Sequence, residues 1–298
     1  MFPAMKPIEI TDRQAVESCT GRLPCSSFHG FTSMWIWNID ERTRLARLGM
    51  NLVFEYTDLV TKDTSMTLLG DDDVVAAAAE LLTQTRELHA IPSFVASQLP
   101  PERFSIARDR DLDEYVCDVQ RLSALSGRSL GRRRNAANRC ARVVGKNLRV
   151  EHDVGQLQGG LLDLFDRWSA TRAKTDQVGT FDERRAVERL LAAWQNLNLT
   201  VTSIYDGDVL FAVQVHEVVP DCAIAHIAKA DVSYWGSFSL LMKTSAEYLS
   251  TLGLRELNLQ EDLGIEGLRA SKLRWRPVRM EEKYRVRAGR PGSSATGT

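Results

Sequence analysis

The chain has 298 residues, of which 44% are hydrophobic and 26% are charged, and its formal net charge at pH 7 is −1. These values are typical of a globular protein with one large domain or two domains of ordinary size. They exclude a general electrostatic attraction to nucleic acids or anionic membranes, so any such contact must use a local basic patch.

The sequence contains no run near the roughly 18–20 apolar residues that a membrane-spanning helix needs, and its first residues lack a signal-peptide core. We therefore expect a cytoplasmic protein without stable membrane insertion. The five cysteines and five histidines are scattered, and no cysteine pair has the spacing of a zinc site. The sequence thus predicts free thiols, no metal and no cofactor.

In the first part of the chain, apolar patterning predicts a strand hairpin at 47–56, a helix at 71–89 and a strand at 104–108. The acidic residues at 71–73 favour the start of the helix, because carboxylates stabilise a helix N-terminus. An acidic stretch at 109–118 then leads into a short helix that ends near Gly127. We place the join between two halves here, with domains at 1–112 and 113–287 and a disordered tail at 288–298.

The segment 127–145 is the strongly basic part of the chain, with six arginines. On a helix, Arg132, Arg139 and Arg142 lie close to one face. Spaced arginines can hold phosphates with two hydrogen bonds each, which indicates a polyanionic partner. The alternative is a solvated helix face whose arginines pair with nearby carboxylates.

From residue 160 onward, the predicted order is helix, helix, strand, hairpin strand, strand, helix, strand, helix. An antiparallel sheet followed by a helix and a further, split strand is the plan of GNAT-type acyltransferases. The sequence therefore predicts an α+β fold with a mostly antiparallel sheet flanked by helices. The order of elements in residues 1–110 is compatible with a second copy, so we expect two tandem GNAT-like domains.

The stretch 226–277 combines unlike parts. A polar turn with Lys229, Asp231 and Gly236 precedes a segment of helical period, and a short strand then ends in polar and charged residues. Asn258, Glu261 and Asp262 lie at that strand end, before a second amphipathic segment that carries Arg269 and Lys272. Charged and amide groups at a strand end, followed by a helix, indicate a functional site.

These segments together resemble a known family, the C-terminal catalytic domain of phosphatidylglycerol lysyltransferases and their soluble relatives. The resemblance covers about residues 20–286, and its most specific part lies at 258–277. The residues that carry it are Tyr115, the run 127–142 with Arg133, Arg134 and Asn135, the turn from Lys229 to Asp231, Asn258-x-x-Glu261-Asp262-x-Gly264, Gly267-Leu268-Arg269-x-x-Lys272 and Pro277.

The resemblance implies two GNAT-like domains in tandem and transfer of an amino acid from aminoacyl-tRNA to an acceptor. Membrane-bound members carry a long multi-helix segment that this sequence lacks. This favours a small soluble acceptor, an amine, hydroxyl or hydroxylamine of a biosynthetic intermediate such as an antibiotic precursor, and leaves a lipid headgroup as the second possible acceptor. The oligomeric state is not predicted.

Transfer from an activated ester needs positioning, a proton acceptor and stabilisation of the oxyanion, but no covalent nucleophile. We hypothesise that Asp262 or Glu261 binds the ammonium of the aminoacyl group or accepts the proton from the acceptor. Lys272, with Arg269, would bind the terminal phosphate of the tRNA or polarise the ester. Asn258 would orient a carbonyl. Their alternative role is a set of salt bridges at a helix end. The remaining candidates are Lys229, Asp231, Tyr234 and His226 for the substrate, and Arg132, Arg133, Arg134, Asn135 and Arg139 for the tRNA acceptor stem.

Two other functions use the same fold. An acetyl-CoA-dependent N-acetyltransferase would need a glycine-rich loop before a helix to hold the pyrophosphate, and residues 127–132 match such a loop only loosely. The other candidate is a non-catalytic module that binds tRNA or another ligand. Keeping Glu261, Asp262, Arg269 and Lys272 together would be unexpected in a module without activity.

Overall fold

The computed structural model describes residues 4–21, 25–153, 157–170 and 177–289. Most of the predicted disordered tail, from residue 290 to the end, lies outside the described residues. The chain divides into two compact units. Unit 1 holds the residues up to Glu114 together with Glu261–Glu266 and the residues from Met280 onward, and unit 2 holds Tyr115–Gln260 and Gly267–Arg279. The chain therefore leaves unit 1, forms most of unit 2, and returns to unit 1 twice.

Unit 1 contains two antiparallel sheets, one in the order β1-β2-β3-β4 and one in the order β5-β14-β6. The predicted hairpin near Gly49 is confirmed as β2 and β3. The elements before residue 110 are β1 (Lys6–Pro7), α1 (Arg13–Thr20), α2 (Phe31–Ile36), β2 (Arg44–Leu48), β3 (Asn51–Thr57), β4 (Thr64–Leu69), α3 (Val74–Leu81), β5 (Leu88–Pro92), α4 (Ser93–Ala96) and β6 (Phe104–Arg108).

The helix predicted at 71–89 is wrong in its second half. The helical part is α3 alone, which begins after Asp73, whose side chain accepts a hydrogen bond from the backbone N–H of Ala76. The chain then turns, and Leu88 begins strand β5. This strand pairs with β14, about 190 residues further along the chain, so its extended conformation depends on a partner that local patterning does not reveal.

Unit 2 is built on a seven-stranded sheet in the order β13-β7-β12-β11-β10-β9-β8. All the pairs from β7 to β8 are antiparallel except β11 with β12, which is parallel. The remaining elements in chain order are β7 (Glu114–Asp118), α5 (Val119–Ala124), α6 (Gly131–Val144), β8 (Leu148–Glu151), α7 (Leu157–Ala170), α8 (Gln177–Ala192), β9 (Leu199–Asp206), β10 (Val209–Val219), β11 (Cys222–Ala230), α9 (Ser237–Thr251), β12 (Glu256–Asn258), α10 (Glu266–Leu273), β13 (Arg279–Glu281) and β14 (Lys283–Ala288).

The order of elements predicted after residue 160 is confirmed from α7 to α10, and with it the α+β class with mostly antiparallel sheets flanked by helices. The core of unit 2 lies where the apolar face of α9 meets α5, α6 and the sheet, and Leu241 and Leu249 are fully buried there. The sequence did not predict strand β7, because its five residues lie at the end of the acidic stretch 109–118, and acidic residues favour a loop over a strand.

The prediction of free thiols is confirmed for Cys19, Cys117 and Cys140. It is wrong for Cys25 and Cys222, which are each disulfide-bonded. Of the helices in the described residues, none has the length and apolar character needed to cross a lipid bilayer.

Two fully buried histidines predict that the protein loses stability in acid. Burial lowers the pKa of His29 to about 3, with Lys283 adding to the effect and Glu114 opposing it. Burial likewise lowers the pKa of His216 to about 3, with smaller contributions from His226 and His152. Both rings are neutral when folded and gain a proton on unfolding below about pH 6.5. Stability is therefore complete above that pH and should fall by up to about 1.4 kcal/mol per histidine per pH unit below it.

Urea unfolding at a series of pH values between 7.5 and 4.5 measures this slope. His216→Leu is the informative variant, because neither ring nitrogen of His216 has a hydrogen-bond partner within the described part of the chain. The leucine variant should be at least as stable at pH 7.5 and should show a shallower decline in acid. An unchanged decline would contradict the assignment.

Candidate active site

The sheet of unit 2 opens at the end of β12. Strands β11 and β12 pair only from Cys222 with Glu256 to Ile224 with Asn258. Beyond that point the chain after β12 stays with β7, since Leu259 N–H donates to the Tyr115 carbonyl at 2.8 Å. Strand β11 continues without it to Ala230. The predicted split is therefore present, and beyond Ile224 no strand of the described residues pairs with this edge of β11.

His226 lies on β11 just beyond the split, at a β-bulge. Ile227 pairs with Val215 and Ala225 pairs with His216, so that His226 is the extra residue. A bulge re-aims a side chain and is common beside active sites. The bulge directs the His226 ring to Glu217, with 2.9 Å between Nε2 and a carboxylate oxygen.

The partners of His226 determine its tautomer. The Glu217 carboxylate can only accept, so Nε2 carries the hydrogen and Nδ1 keeps a lone pair. The amide nitrogen of Gln260 lies 3.4 Å from Nδ1, a distance near the limit of a hydrogen bond. The His226 side chain is fully buried in this arrangement. Nε2 of His226 thus faces the Glu217 carboxylate, and Nδ1 faces the side-chain amide of Gln260.

Lys229 lies on β11 three residues after His226 and is also buried. Its ammonium lies 2.6 Å from a carboxylate oxygen of Glu183 on α8 and 3.5 Å from the ring centroid of Trp168 on α7. The charge is thus neutralised by an ion pair and stabilised by an aromatic face. This side chain holds α7 and α8 against the sheet, and it can reach a substrate only if Glu183 shares it.

Asp231 and Tyr234 follow β11 in a polar turn. Asp231 accepts from both the N–H and the hydroxyl of Ser233, at 2.9 and 2.6 Å. Tyr234 stacks on Phe211 and donates to Asp206 at 3.3 Å, and burial, followed by that carboxylate, raises its pKa. Both side chains are engaged in shaping the turn.

Asn258 is the last residue of β12 and is fully buried. Its side-chain oxygen accepts from the backbone N–H of Gln260 at 2.6 Å. Asn258 therefore positions Gln260, whose amide faces His226. The structure brings these three residues together at the split, although the sequence hypothesis had given Asn258 direct contact with a carbonyl.

Glu261 and Asp262 belong to unit 1. Asp262 is fully buried, one carboxylate oxygen accepts from Gly264 N–H at 2.9 Å, and the other lies 3.4 Å from a guanidinium nitrogen of Arg110. Glu261 is half-buried. The contacts of Asp262 are those of a turn held by an Asx hydrogen bond and an ion pair, which matches the structural alternative for this residue.

Asp262→Ala should therefore lower stability by about 1–3 kcal/mol, because the Gly264 N–H and the Arg110 guanidinium lose their acceptor. Asp262→Asn keeps an acceptor for Gly264 and should lose less. Thermal unfolding of the two variants against the wild type measures the difference. Loss of transfer in Asp262→Ala at an unchanged melting temperature would instead restore the catalytic hypothesis.

Arg269 and Lys272 lie three residues apart on α10, are half-buried and belong to unit 2. Residues at this spacing share a helix face, so both side chains are presented together. Their hypothetical role with a phosphate stays a prediction.

The basic segment forms α6, as predicted, and its arginines differ in what they contact. Arg134 donates to the carbonyl of Leu125 at 2.9 Å and so stabilises the end of α5. Arg132 and Asn135 are exposed. Arg133 and Arg139 each lie over a tryptophan ring. In the part of the chain that the structure describes, no carboxylate pairs with Arg132, Arg133, Arg139 or Arg142, so the pairing with carboxylates that the alternative supposes is not observed there.

Sequence reasoning missed four residues of this site: Glu217, Gln260, Glu183 and Trp168. Glu217 had a sequence signal, as a carboxylate within a strand of apolar residues. Gln260 sits between two residues that were singled out. Glu183 and Trp168 had no such signal, because each fits the surface or the apolar stripe of an amphipathic helix.

The comparisons with known proteins agree with this architecture. A family described as phosphatidylglycerol lysyltransferase, C-terminal, matches residues 24–287, which is most of the chain. The chain belongs to this family. No curated protein matches the chain.

Several solved structures resemble nearly the whole chain of this member of the phosphatidylglycerol lysyltransferase C-terminal family. A conserved protein of unknown function from Bacteroides thetaiotaomicron is 23% identical, with a TM-score of 0.81 over 97% of this chain and 100% of that one. The C-terminal domain of a candidate lysylphosphatidylglycerol synthetase from Agrobacterium fabrum is 16% identical, with a TM-score of 0.65 over 93% and 92%. L-PGS from Bacillus licheniformis is 12% identical, with a TM-score of 0.63 over 99% and 96%. At these identities the likeness establishes the fold.

Proposed function

We propose that the protein is an aminoacyl-tRNA-dependent aminoacyltransferase that moves an amino acid from charged tRNA to an amine or hydroxyl of a small acceptor. The observation that carries the proposal is the family match over residues 24–287. The open sheet edge beside His226 supports it, because that is where an ester and an acceptor could lie next to a basic group.

The reaction needs one proton acceptor. The acceptor nitrogen or oxygen forms a bond to the ester carbonyl carbon, the bond from that carbon to the ribose oxygen breaks, and the acceptor proton finally reaches the ribose oxygen. We assign the transient proton to Nδ1 of His226, with Glu217 stabilising the imidazolium that forms. Gln260, positioned by Asn258, must yield its weak contact with Nδ1 when substrate binds.

The remaining roles keep the sequence hypothesis where the contacts allow it. Arg269 and Lys272 would bind the phosphate next to the terminal ribose of the donor, as a pair on one helix face. Glu183 pairs with the ammonium of Lys229, and its carboxylate would also bind the amino group of the transferred residue. Asp262 serves the turn in unit 1.

Gly236 argues against the acetyltransferase alternative. A pyrophosphate loop belongs between β11 and α9, and Gly236 is the glycine of that turn. Its φ is +90°, and an added Cβ would lie 2.3 Å from the carbonyl oxygen of Ala136. Contact with α6 therefore accounts for this glycine without a bound cofactor.

The direct test incubates the protein with radiolabelled, charged total tRNA and a metabolite extract, and follows release of label from tRNA into a new product. Separate reactions contain phosphatidylglycerol vesicles in place of the extract, or acetyl-CoA in place of charged tRNA. We expect label in a small product. Label in the vesicle lipid would replace the acceptor proposed here. Consumption of acetyl-CoA without any deacylation would overturn the proposal itself.

A further inference from the structure

The surface of α6 in unit 2 combines arginines that pair with no carboxylate of the described residues with two tryptophan rings, of which Trp235 is exposed and Trp275 is buried. Residues 119–150 contain eight arginines and one lysine and no acidic residue, so they carry +9 in a chain whose net charge is −1. A one-signed region of this size produces a local field that attracts a polyanion.

The aromatic rings sit directly against these arginines. The Arg139 guanidinium lies 4.8 Å from the ring centroid of Trp235, and that of Arg133 lies 5.1 Å from the centroid of Trp275. Trp275 is buried, but Trp235 is 58% exposed. The Arg139 guanidinium stabilises the Trp235 ring through a cation–π contact. The site therefore presents one aromatic ring to solvent beside a positive charge.

The guanidinium groups of Arg132, Arg133 and Arg139 on α6, and that of Arg274, have no anionic partner among the described residues. Burial, and then the neighbouring positive charge of Arg274, lowers the pKa of Arg133. Arg132 lies two helical turns before Arg139 on the same side of α6. No carboxylate among the described residues neutralises any of these guanidinium groups. Like charges placed together without a counter-ion are stabilised when a phosphate binds.

We infer that this arginine–tryptophan surface (Arg132, Arg133, Arg139, Trp235 and Arg274) binds unpaired nucleotides of an RNA, with a base stacked on Trp235 and the backbone phosphates held by the arginines. The inference rests on the proposed function, because the RNA in question would be the single-stranded end of the charged tRNA. It changes the earlier hypothesis for α6, which assigned these arginines to the acceptor stem. A stacked base needs a single strand, since a paired base does not offer its face.

A membrane surface is the competing partner, and the exposed face of α6 disfavours it. An interfacial helix needs a broad apolar face, whereas the exposed large apolar residue of α6 is Val143 alone among the described residues. A helix of this composition can bind lipid headgroups by charge but offers almost nothing to the acyl chains.

The test measures fluorescence anisotropy with two labelled RNA hairpins that differ in one feature, four unpaired nucleotides at the 3′ end or a blunt end. We expect tighter binding of the overhang hairpin by about tenfold. Trp235→Ala should reduce binding of the overhang hairpin by about five- to a hundredfold and leave the blunt hairpin almost unchanged. Trp235→Phe keeps a ring and should recover most of the difference.

Arg139→Ala and Arg142→Ala form a matched pair, since each removes one positive charge from α6 but only Arg139 contacts a ring. Both should lower the dependence of affinity on salt by about one unit of slope, and only Arg139→Ala should also reduce the preference for the overhang. Circular dichroism and the melting temperature of each variant verify that it is folded.

Equal binding of both hairpins by wild type and Trp235→Ala would overturn the inference, as would binding to anionic vesicles that requires Trp235 while RNA binding does not. These results are separable from failure of the proposed function. Overhang binding that depends on Trp235, in a protein that transfers no amino acid, would leave the RNA surface standing and reject the transferase. Amino acid transfer that is unaffected by Trp235→Ala would leave the transferase standing and reject the RNA surface.

Discussion

Lys283→Met is expected to destabilise the protein by about 3–5 kcal/mol, because it leaves a buried carboxylate without its cation. Lys283 and Glu114 are both almost completely buried in unit 1, with 3.1 Å between Nζ and a carboxylate oxygen. Glu114 also accepts from the backbone N–H groups of Ser27 and Phe28, at 2.8 and 3.0 Å. These donors hold the Glu114 carboxylate in place, so the methionine variant cannot relieve the cost simply by moving the carboxylate into water.

Urea unfolding followed by intrinsic fluorescence measures this cost. Lys6→Met is the control, since it removes a lysine that is about half exposed and pairs with Glu9 and Asp12 on the surface of unit 1. That variant should lose less than about 1 kcal/mol. Adding Glu114→Gln to Lys283→Met removes the isolated charge and should recover part of the loss. If the two lysine variants unfold at the same urea concentration, the buried pair is not the stabilising feature described here.

His226→Gln is expected to lower the rate constant of amino acid transfer by about 10²- to 10⁴-fold, the range that general base catalysis contributes. The glutamine can still donate to Glu217 but has no nitrogen that accepts a proton. Single-turnover transfer from charged tRNA, measured from pH 5.5 to 9, separates this effect from substrate binding. The wild-type rate constant should exceed that of the variant throughout this pH range.

The matched control concerns stability, because His226 and Glu217 are both buried and pair with each other. His226→Gln combined with Glu217→Gln exchanges the pair for two neutral amides. We expect this double variant to unfold close to the wild type and to stay as slow in transfer as the single variant. A double variant that regains transfer along with stability would assign His226 a purely structural role. His89→Gln, a histidine in unit 1, should change neither quantity.

The elements after residue 160 could be predicted from the sequence because their patterns are long and their neighbours are close in the chain. Strands β9, β10 and β11 are joined by short turns, one of them Asp206–Gly207–Asp208, so each strand pairs with the next. The apolar stripe of α9 follows the same logic, since one helix face must cover that sheet. Such local evidence was sufficient for the fold class.

Strands β5 and β7 show where local evidence ends. β5 pairs with β14 and β7 pairs with β12, and in each case more than 130 residues separate the partners. The residues of β5 follow an alanine-rich helix and continue its apolar pattern, so helix was favoured until the distant partner was known. The conformation of both strands depends on hydrogen bonds to chain that lies elsewhere in the sequence.

The candidate site divides in the same way. Its residue types were recognisable along the chain: His226 and Lys229 in a strand, Asn258 at a strand end, and an arginine-rich helix. The sequence by itself thus determined the family, the class of fold and the charged groups available for chemistry. Only the tertiary structure decided that Asp262 is committed to a buried turn, that a bulge aims His226 at Glu217, and that Arg139 lies on Trp235. Those assignments depend on which side chains meet across the sheet and between helices, and the order of residues in the chain does not specify such contacts.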